Sequence, residues 1–214
     1  MQSTREESLG GKLLYAGDLD ESGRVLAVAA NIAGAATLAA SADPAVLRQA
    51  TREGVIDFQV NSLDEALRIL KNEIRKRQPV AVAVSVAPGA IVKEMVARGV
   101  LPDLLPPLLP SLPVPPEFEA FIAQGARRIE TATPRHGSKF FIWPIPIEYT
   151  QRPAEFEALL LKHLSPDDHA ARRWLHLSCR YLGPQGRRLR SLACDEATAS
   201  KLIAFFGPGS QFRV

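Results

Sequence analysis

A continuous apolar run in the first half of the chain does most to restrict its fold. Residues Val80–Val86 read VAVAVSV, with a valine at every second position and no charged residue. A short run of this kind is typical of a strand that is buried on both faces of a parallel sheet, because helices cover both sides of such sheets. The run therefore predicts an α/β fold.

Strand and helix signals alternate around that run. Other short apolar runs predict strands at Lys12–Ala16, Ala36–Ala40 and Ile56–Val60. Capping and glycine signals predict helices between the strands, at Gly23–Ala35, at Pro44–Glu53, from Ser62 onwards and at Gly89–Arg98. Repeated βα units of this length predict a Rossmann-like, doubly wound parallel sheet over residues 11–105.

Two of these helices carry explicit start signals. Ser62-Leu-Asp-Glu65 is a capping box, in which the serine hydroxyl accepts a backbone N–H and the glutamate reaches back. Asp43 precedes Pro44 and suits an N-cap position. An acidic residue after the second strand of a dinucleotide fold also commonly binds ribose, so Asp43 is in addition a candidate cofactor-binding residue.

A proline-rich segment follows the predicted sheet. Residues Leu101–Pro116 contain seven prolines. Proline has no backbone N–H and a fixed φ, which excludes a helix or a central strand there. We therefore predict a stiff linker at 106–116, with the Rossmann-like domain at 11–105 before it and an α-rich region at 117–214 after it.

Composition narrows the class of protein. The net charge is +3, from 26 basic and 23 acidic residues, which is too mild for a nucleic-acid-binding face. The two cysteines, Cys179 and Cys194, are too few for a disulfide framework and indicate a reducing compartment. Residues Val25–Ala42 are uncharged over 18 positions, but their small and polar residues predict a buried helix and strand rather than a membrane span. We expect a cytoplasmic protein that binds neither nucleic acid nor membranes.

The loop after the first strand is the candidate phosphate site, since nucleotides bind at that helix N-terminus in doubly wound sheets. It reads GDLDESG, and its end residues Gly17 and Gly23 are the candidate cofactor-binding glycines. The carboxylates of Asp18, Asp20 and Glu21 would repel a pyrophosphate. A solvated acidic turn is the alternative interpretation, and a calcium loop is disfavoured because the glutamate that completes such a loop is missing.

The second half holds two clusters of side chains that can carry chemistry. One predicted helix carries His169, His176 and Cys179 on one face. These side chains could bind zinc or pack against the core. Because three groups on one helix cannot surround a metal, we predict no metal site. Six arginines and no acidic residue lie between positions 172 and 190. Guanidinium groups bind carboxylate or phosphate, so we predict an anion-binding patch for a small anionic metabolite, with a solvated basic face as the alternative. Its candidate residues are Arg180, Arg187 and Arg188.

Several segments in order resemble the NAD-binding domain of urocanase, the hydro-lyase of histidine breakdown. They are GKLLYAG, AANIAGAATLA with Asp43, NSLDEAL and RGVLPD, and they cover roughly Gly11–Asp103. The sequence CRYLGP from Cys179 is similar to the C-x-x-x-G-P element that holds the family's active-site cysteine. The resemblance implies a catalytic role for Cys179, and it implies NAD, which the family adds to the imidazole ring before water attacks.

The sequence also departs from the family pattern. The glycine-rich G-x-G-G-x-G-G loop is GDLDESG here, the acidic ribose position falls near Ser41, and a polar D-Q-T-S-A-H-D segment is replaced by LLPPLLPS. Because the hydratase reaction needs NAD, we expect no cofactor and no hydratase activity. We expect instead a small-molecule-binding or interaction module, with a second copy or another subunit as protein partner. Two alternatives stay open: an NAD-dependent hydro-lyase completed by another chain, and a structural subunit-docking protein.

Overall fold

The apolar runs of the first half form a parallel sheet. A computed structural model describes residues 8–107, 116–129, 139–181, 188–206 and 210–211. The chain divides into two compact units. The first unit spans Ser8–Thr131, and the second contains residues 132–214. The sheet of the first unit has the strand order β3-β4-β2-β1-β5-β6, with every pair parallel. Its strands are β1 (Leu13–Asp18), β2 (Ala36–Ala40), β3 (Phe58–Val60), β4 (Val80–Val84), β5 (Leu104–Leu105) and β6 (Arg127–Arg128).

Helices cover both faces of this sheet, which confirms the Rossmann-like α/β prediction. The five helices are α1 (Glu21–Ala33), α2 (Pro44–Arg52), α3 (Leu63–Lys76), α4 (Pro88–Ala97) and α5 (Pro116–Ala123). Alternate residues of the strands face opposite sides: Leu38 packs in a cluster with α3 and α4, whereas Ala39 packs with α1 and α2. The uncharged stretch 25–42 is the end of α1 running into the fully buried strand β2, as predicted.

The capping box at the start of α3 forms with one difference. The N–H of Glu65 donates to Ser62 Oγ at 3.3 Å. The Glu65 carboxylate reaches one residue further back than expected and accepts the N–H of Asn61 at 2.9 Å. The Ser62 half of the predicted exchange is therefore in place, the Glu65 half is shifted by one residue, and the helix starts where the sequence indicates.

The proline-rich segment Leu101–Pro116 contains a two-residue strand, Leu104–Leu105. The prediction that this segment contains no central strand is therefore wrong. This strand, β5, pairs with β1 on one side and β6 on the other. The neighbouring prolines, Pro102 and Pro106, flank the two leucines without replacing either of them. A proline removes a hydrogen bond between strands only at its own nitrogen, because that nitrogen carries no hydrogen. Leu104 and Leu105 therefore keep the backbone N–H groups that strand pairing requires.

Residues after the proline-rich segment complete the first unit. Phe118 and Phe121 of α5 and Ala126 are buried in the same cluster as Tyr15 and Leu105. The Tyr15 and Phe118 rings meet edge to face, with centroids 6.2 Å apart. The division between the units therefore lies after this helix, near Thr131, and differs from the boundary predicted at the linker.

The second unit combines helices with a small antiparallel sheet of order β8-β7-β9. Its elements are β7 (Lys139–Pro144), a 3-10 turn (Ile147–Tyr149), α6 (Pro153–Lys162), α7 (His169–Tyr181), β8 (Leu189–Cys194), α8 (Glu196–Phe206) and β9 (Ser210–Gln211). A core around Phe141, Trp143, Phe156 and Leu175 joins the sheet to α6 and α7. Among the described residues of both units, no helix has the length and apolar character that crossing a bilayer requires.

Candidate functional site

The loop after β1 brings the start of α1 very close to the strand that precedes it. Gly17 has a φ of +83°, a left-handed conformation that side chains disfavour. Gly23 lies in the first turn of α1 and is buried; a Cβ there would overlap the carbonyl oxygen of Asp18. The two candidate glycines therefore have different local roles, Gly17 in the turn and Gly23 in the contact between helix and strand.

A carboxylate of the protein itself occupies the N-terminus of α1. Asp20 is the N-cap residue, and its Oδ1 accepts the N–H of Gly23 at 2.8 Å. The unpaired N–H groups and the positive dipole end of a helix attract anions, and an N-cap carboxylate satisfies both. The helix end at which a Rossmann-like sheet would hold a phosphate thus already has an anionic partner.

The side chains next to this cap add negative charge. Asp18, Asp20 and Glu21 are all exposed. Asp18 Oδ1 accepts the N–H of Leu19 at 2.7 Å, and Leu19 itself is buried. The loop therefore presents three carboxylates to solvent around one buried leucine.

The second candidate cofactor residue also caps a helix. Asp43 Oδ1 accepts the N–H of Ala45 at 2.7 Å at the start of α2. Before it, Ser41 is buried, and Ser41 Oγ accepts the N–H of Asp43 at 3.4 Å. The carboxylate of Asp43 is exposed but engaged by the helix, and a role toward ribose stays a prediction.

Neutral polar groups line the carboxyl end of the neighbouring strands. Gln59 Nε2 donates to Ser85 Oγ at 3.0 Å, which links the ends of β3 and β4. The buried Tyr15 hydroxyl donates to the carbonyl oxygen of Pro88 at 3.2 Å, which ties β1 to the start of α4. This edge of the sheet is therefore polar, and the loop after β1 adds negative charge to it.

Comparison with known families agrees with this architecture. A model of the urocanase Rossmann-like domain matches residues 1–107, half of the 214-residue chain. The chain belongs to the urocanase family. Within the match, the segments that resemble urocanase fall on defined elements: GKLLYAG leads into and forms most of β1, NSLDEAL starts α3, and RGVLPD joins α4 to β5.

Residues 132–214 lie outside the residues that the urocanase model matches. A cluster of ionisable side chains lies among them. Glu157 on α6 is 7% exposed. Its Oε1 lies 3.0 Å from Nδ1 of His176 on α7, and its Oε2 lies 4.0 Å from Cys179 Sγ. Arg190 on β8 is 2% exposed and places Nη2 4.0 Å from the same Oε2.

Glu157 is the member of this cluster that sequence reasoning missed. A signal for it exists, because Glu157 follows the buried Phe156 and precedes the buried Leu160 by three positions, which puts a carboxylate on the inward stripe of α6. Of the predicted helix cluster, His176 and Cys179 meet around this carboxylate. His169 is exposed in the first turn of α7.

The predicted arginine patch is only partly within the described residues. Arg187 lies outside them, and so does the side chain of Arg180. Arg188 is exposed, and its carbonyl oxygen accepts the N–H of Ile145 at 2.8 Å. Arg190 belongs to the core and not to the surface, so it is removed from the patch. Anion binding by the candidate residues Arg180, Arg187 and Arg188 stays a prediction.

The two cysteines have different surroundings, and both are free thiols. Cys194 is buried at the end of β8, and burial raises the pKa of its thiol to about 11, with the charges of Asp195 and Asp168 acting in the same direction. Cys179 is half-buried, and its Sγ lies 3.5 Å from the carbonyl oxygen of His176. A catalytic role for Cys179 stays a prediction from the family resemblance.

Proposed function

We propose that this urocanase-family chain has lost NAD-dependent hydratase activity, and that its Rossmann-like unit is a binding module for a small molecule that lacks a pyrophosphate. The ligand of this module lies at the carboxyl end of the strands, near Gly17, Ser85 and Gly89, where ligands of doubly wound sheets generally bind. The polar groups of this ligand are neutral or cationic, because the edge of the sheet is polar and the loop beside it is acidic.

The hydrogen bond between Asp20 and Gly23 is the observation that carries this proposal. A dinucleotide needs the N–H groups at the start of α1 for its pyrophosphate. At 2.8 Å, the Asp20 carboxylate already uses the N–H of Gly23. NAD would have to displace that carboxylate and leave it unpaired beside two phosphates, so the residues present do not fit this cofactor.

Electrostatic repulsion supports the same conclusion. Two unit charges 4 Å apart interact by about 1 kcal/mol in water and by about 4 kcal/mol near a protein surface. Asp18, Asp20 and Glu21 would all lie near a pyrophosphate bound at the loop. Even at the lower value, several such pairs remove a large part of the affinity that a cofactor site requires.

Calorimetric titration with NAD tests the proposal. The wild-type chain is expected to give no measurable heat of binding. The double substitution Asp18→Gly with Asp20→Gly frees the helix end and removes two charges, so we expect it to bind NAD more tightly than the wild type. A dissociation constant in the micromolar range or tighter for the wild type would contradict the proposal.

A second double substitution separates the effect of the carboxylate charges from the effect of the side chain that engages the N–H of Gly23. Asp18→Asn with Asp20→Asn removes the same charges, but asparagine remains a good N-cap and keeps the N–H of Gly23 engaged. If the cap blocks the site, the asparagine variant stays unable to bind NAD while the glycine variant gains binding. Equal gains in the two variants would show that charge alone decides.

A further inference from the structure

The pairing of His176 with Glu157 fixes which ring nitrogen carries the proton. An ionised carboxylate only accepts hydrogen bonds, so the Nδ1 that lies 3.0 Å from Glu157 Oε1 is the protonated nitrogen. In the neutral ring, Nε2 then holds a free lone pair. The side chain of His176 is 73% exposed while that of Glu157 is only 9% exposed, so Nε2 is on the solvent side of the ring.

The helix that carries His176 is basic. Helix α7 contains no acidic residue. Arg172 and Arg173 precede His176 by four and three positions, so their places on the helix are one turn away on the same face. Arg172 Nη1 donates to the carbonyl oxygen of Leu161 at 2.9 Å, a neutral partner that does not cancel the charge of the guanidinium. Behind the ring, the charge of Glu157 is balanced by the buried Arg190. An anionic reactant is therefore attracted to the outer nitrogen rather than repelled from it.

The buried carboxylate also prepares the ring for bond formation. When Nε2 forms a bond, the imidazole gains positive charge, and a carboxylate hydrogen-bonded to Nδ1–H stabilises that charge and holds the ring in place. An exposed, oriented nucleophile on a basic helix matches one class of reactant best, namely an anionic electrophile.

We propose that His176 Nε2 is a phosphoryl acceptor, and that small phosphoryl donors with a good leaving group, such as acyl phosphates or phosphoramidate, are its reactants. The Nε2 lone pair forms a bond to phosphorus while the bond from phosphorus to the leaving group breaks. The electron pair of that bond departs with the leaving group, as carboxylate from an acyl phosphate or as ammonia from zwitterionic phosphoramidate. The Nδ1 proton stays hydrogen-bonded to Glu157, which acts as a positioning residue.

Labelling of the whole chain with potassium phosphoramidate tests this proposal, with phosphorus NMR and peptide mass spectrometry under mildly alkaline conditions as readouts. His169 is the internal control, because it is exposed on the same helix and has no carboxylate partner within the described parts of the chain. We expect His176 to be labelled at Nε2 and about tenfold faster than His169. This is the lower end of the change that follows when the outer-shell partner of a metal-binding histidine is removed. Equal labelling rates for the two histidines would overturn the proposal.

Glu157→Gln tests the positioning role while keeping the volume of the side chain. We expect it to lower the labelling rate of His176 to that of His169 and to leave His169 unchanged, with circular dichroism as the check on folding. An unchanged His176 rate in a folded variant would show that Glu157 has no such role.

Nitrogen NMR of the wild-type imidazoles gives an answer that does not depend on the folding of any variant. The proposal requires the Nδ1–H tautomer for neutral His176. Free histidine prefers the other tautomer, and finding Nε2–H at His176 would overturn the proposal, since its outer nitrogen would then lack the lone pair.

Discussion

Individual residues set the closest contacts of the first unit, and Gly23 is the clearest of them. A side chain at position 23 would overlap backbone atoms of Asp18, and backbone cannot move aside as the end of a flexible side chain can. The glycine is therefore required for α1 to begin against β1, whether or not any ligand binds there. A glycine in this loop is by itself no indication of a nucleotide site.

The substitution Gly23→Ala tests this packing role. We expect it to lower the free energy of unfolding by roughly 1–3 kcal/mol, the usual cost of overpacking. Gly89→Ala is the matched control, because position 89 is also in the first turn of a helix but has open space around it; there alanine stabilises by about 0.5–1 kcal/mol. Urea denaturation measures both, and equal effects would contradict the packing explanation.

Thiol reactivity separates the two cysteines. Since the pKa of Cys194 is raised to about 11, only roughly one molecule in ten thousand carries its thiolate at neutral pH. We expect iodoacetamide at neutral pH to label the half-buried Cys179 first, and the rate at Cys194 to rise with pH up to about 11. Peptide mass spectrometry measures the labelling at both sites. If Cys179 is labelled only after denaturant is added, its role is packing and not reactivity.

Sequence reasoning anticipates those residues whose function is local. Asp43 and Ser62 act within a few positions of themselves, so their spacing is enough to predict a cap. The cap that Asp20 forms is not predicted, because the sequence signals place the start of the helix at Gly23 and not at Glu21. Glu157 acts on His176 and Arg190, which lie 19 and 33 positions further along the chain. Such a cluster depends on how α6, α7 and β8 pack, and no spacing rule contains that information.

At the scale of elements, the strands differ in how well the sequence specifies them. The buried strands β2 and β4 have five residues each, which is long enough for their apolar runs to be recognised. Strand β5 has two residues and is flanked by prolines, so nothing in its own sequence marks it as part of a sheet. Its place comes from its neighbours, above all from Asp103.

Asp103 holds β5 to the start of β1. Its Oδ2 accepts the N–H of Leu13 at 2.9 Å, its Oδ1 lies 2.8 Å from Lys12 Nζ, and its own N–H donates to the carbonyl oxygen of Leu13 at 2.9 Å. Asp103→Ala leaves the Leu13 N–H without its acceptor, and we expect it to cost about 1–3 kcal/mol of unfolding free energy. Urea denaturation followed by circular dichroism measures this cost.

Lys12→Ala is the control for that substitution. It removes the half-exposed ion pair and keeps the hydrogen bond to Leu13, so we expect a loss of less than about 1 kcal/mol. If the lysine substitution costs as much as the aspartate substitution, the ion pair rather than the backbone hydrogen bond joins the two strands.

At the scale of the whole molecule, the division of the chain into units leads to a prediction about fragments. Residues 8–131 form one compact unit, in which Phe121 is 1% and Phe118 9% exposed. Removing α5 exposes the core around Tyr15 and loses about 1.5–3 kcal/mol for each buried phenylalanine. We therefore expect fragment 8–131 to unfold cooperatively in urea, and fragment 8–107 to have a clearly lower midpoint or no transition. Equal midpoints would place the boundary at the proline-rich segment instead.

Native mass spectrometry of the whole chain tests most directly whether a urocanase-family Rossmann-like unit with an acidic loop still holds NAD. The protein is measured as purified and again after NAD is added. Because the Asp20 carboxylate already caps α1, we predict no adduct of the mass of NAD in either spectrum. A stoichiometric NAD adduct in either spectrum, lost when the protein is denatured, would contradict the account.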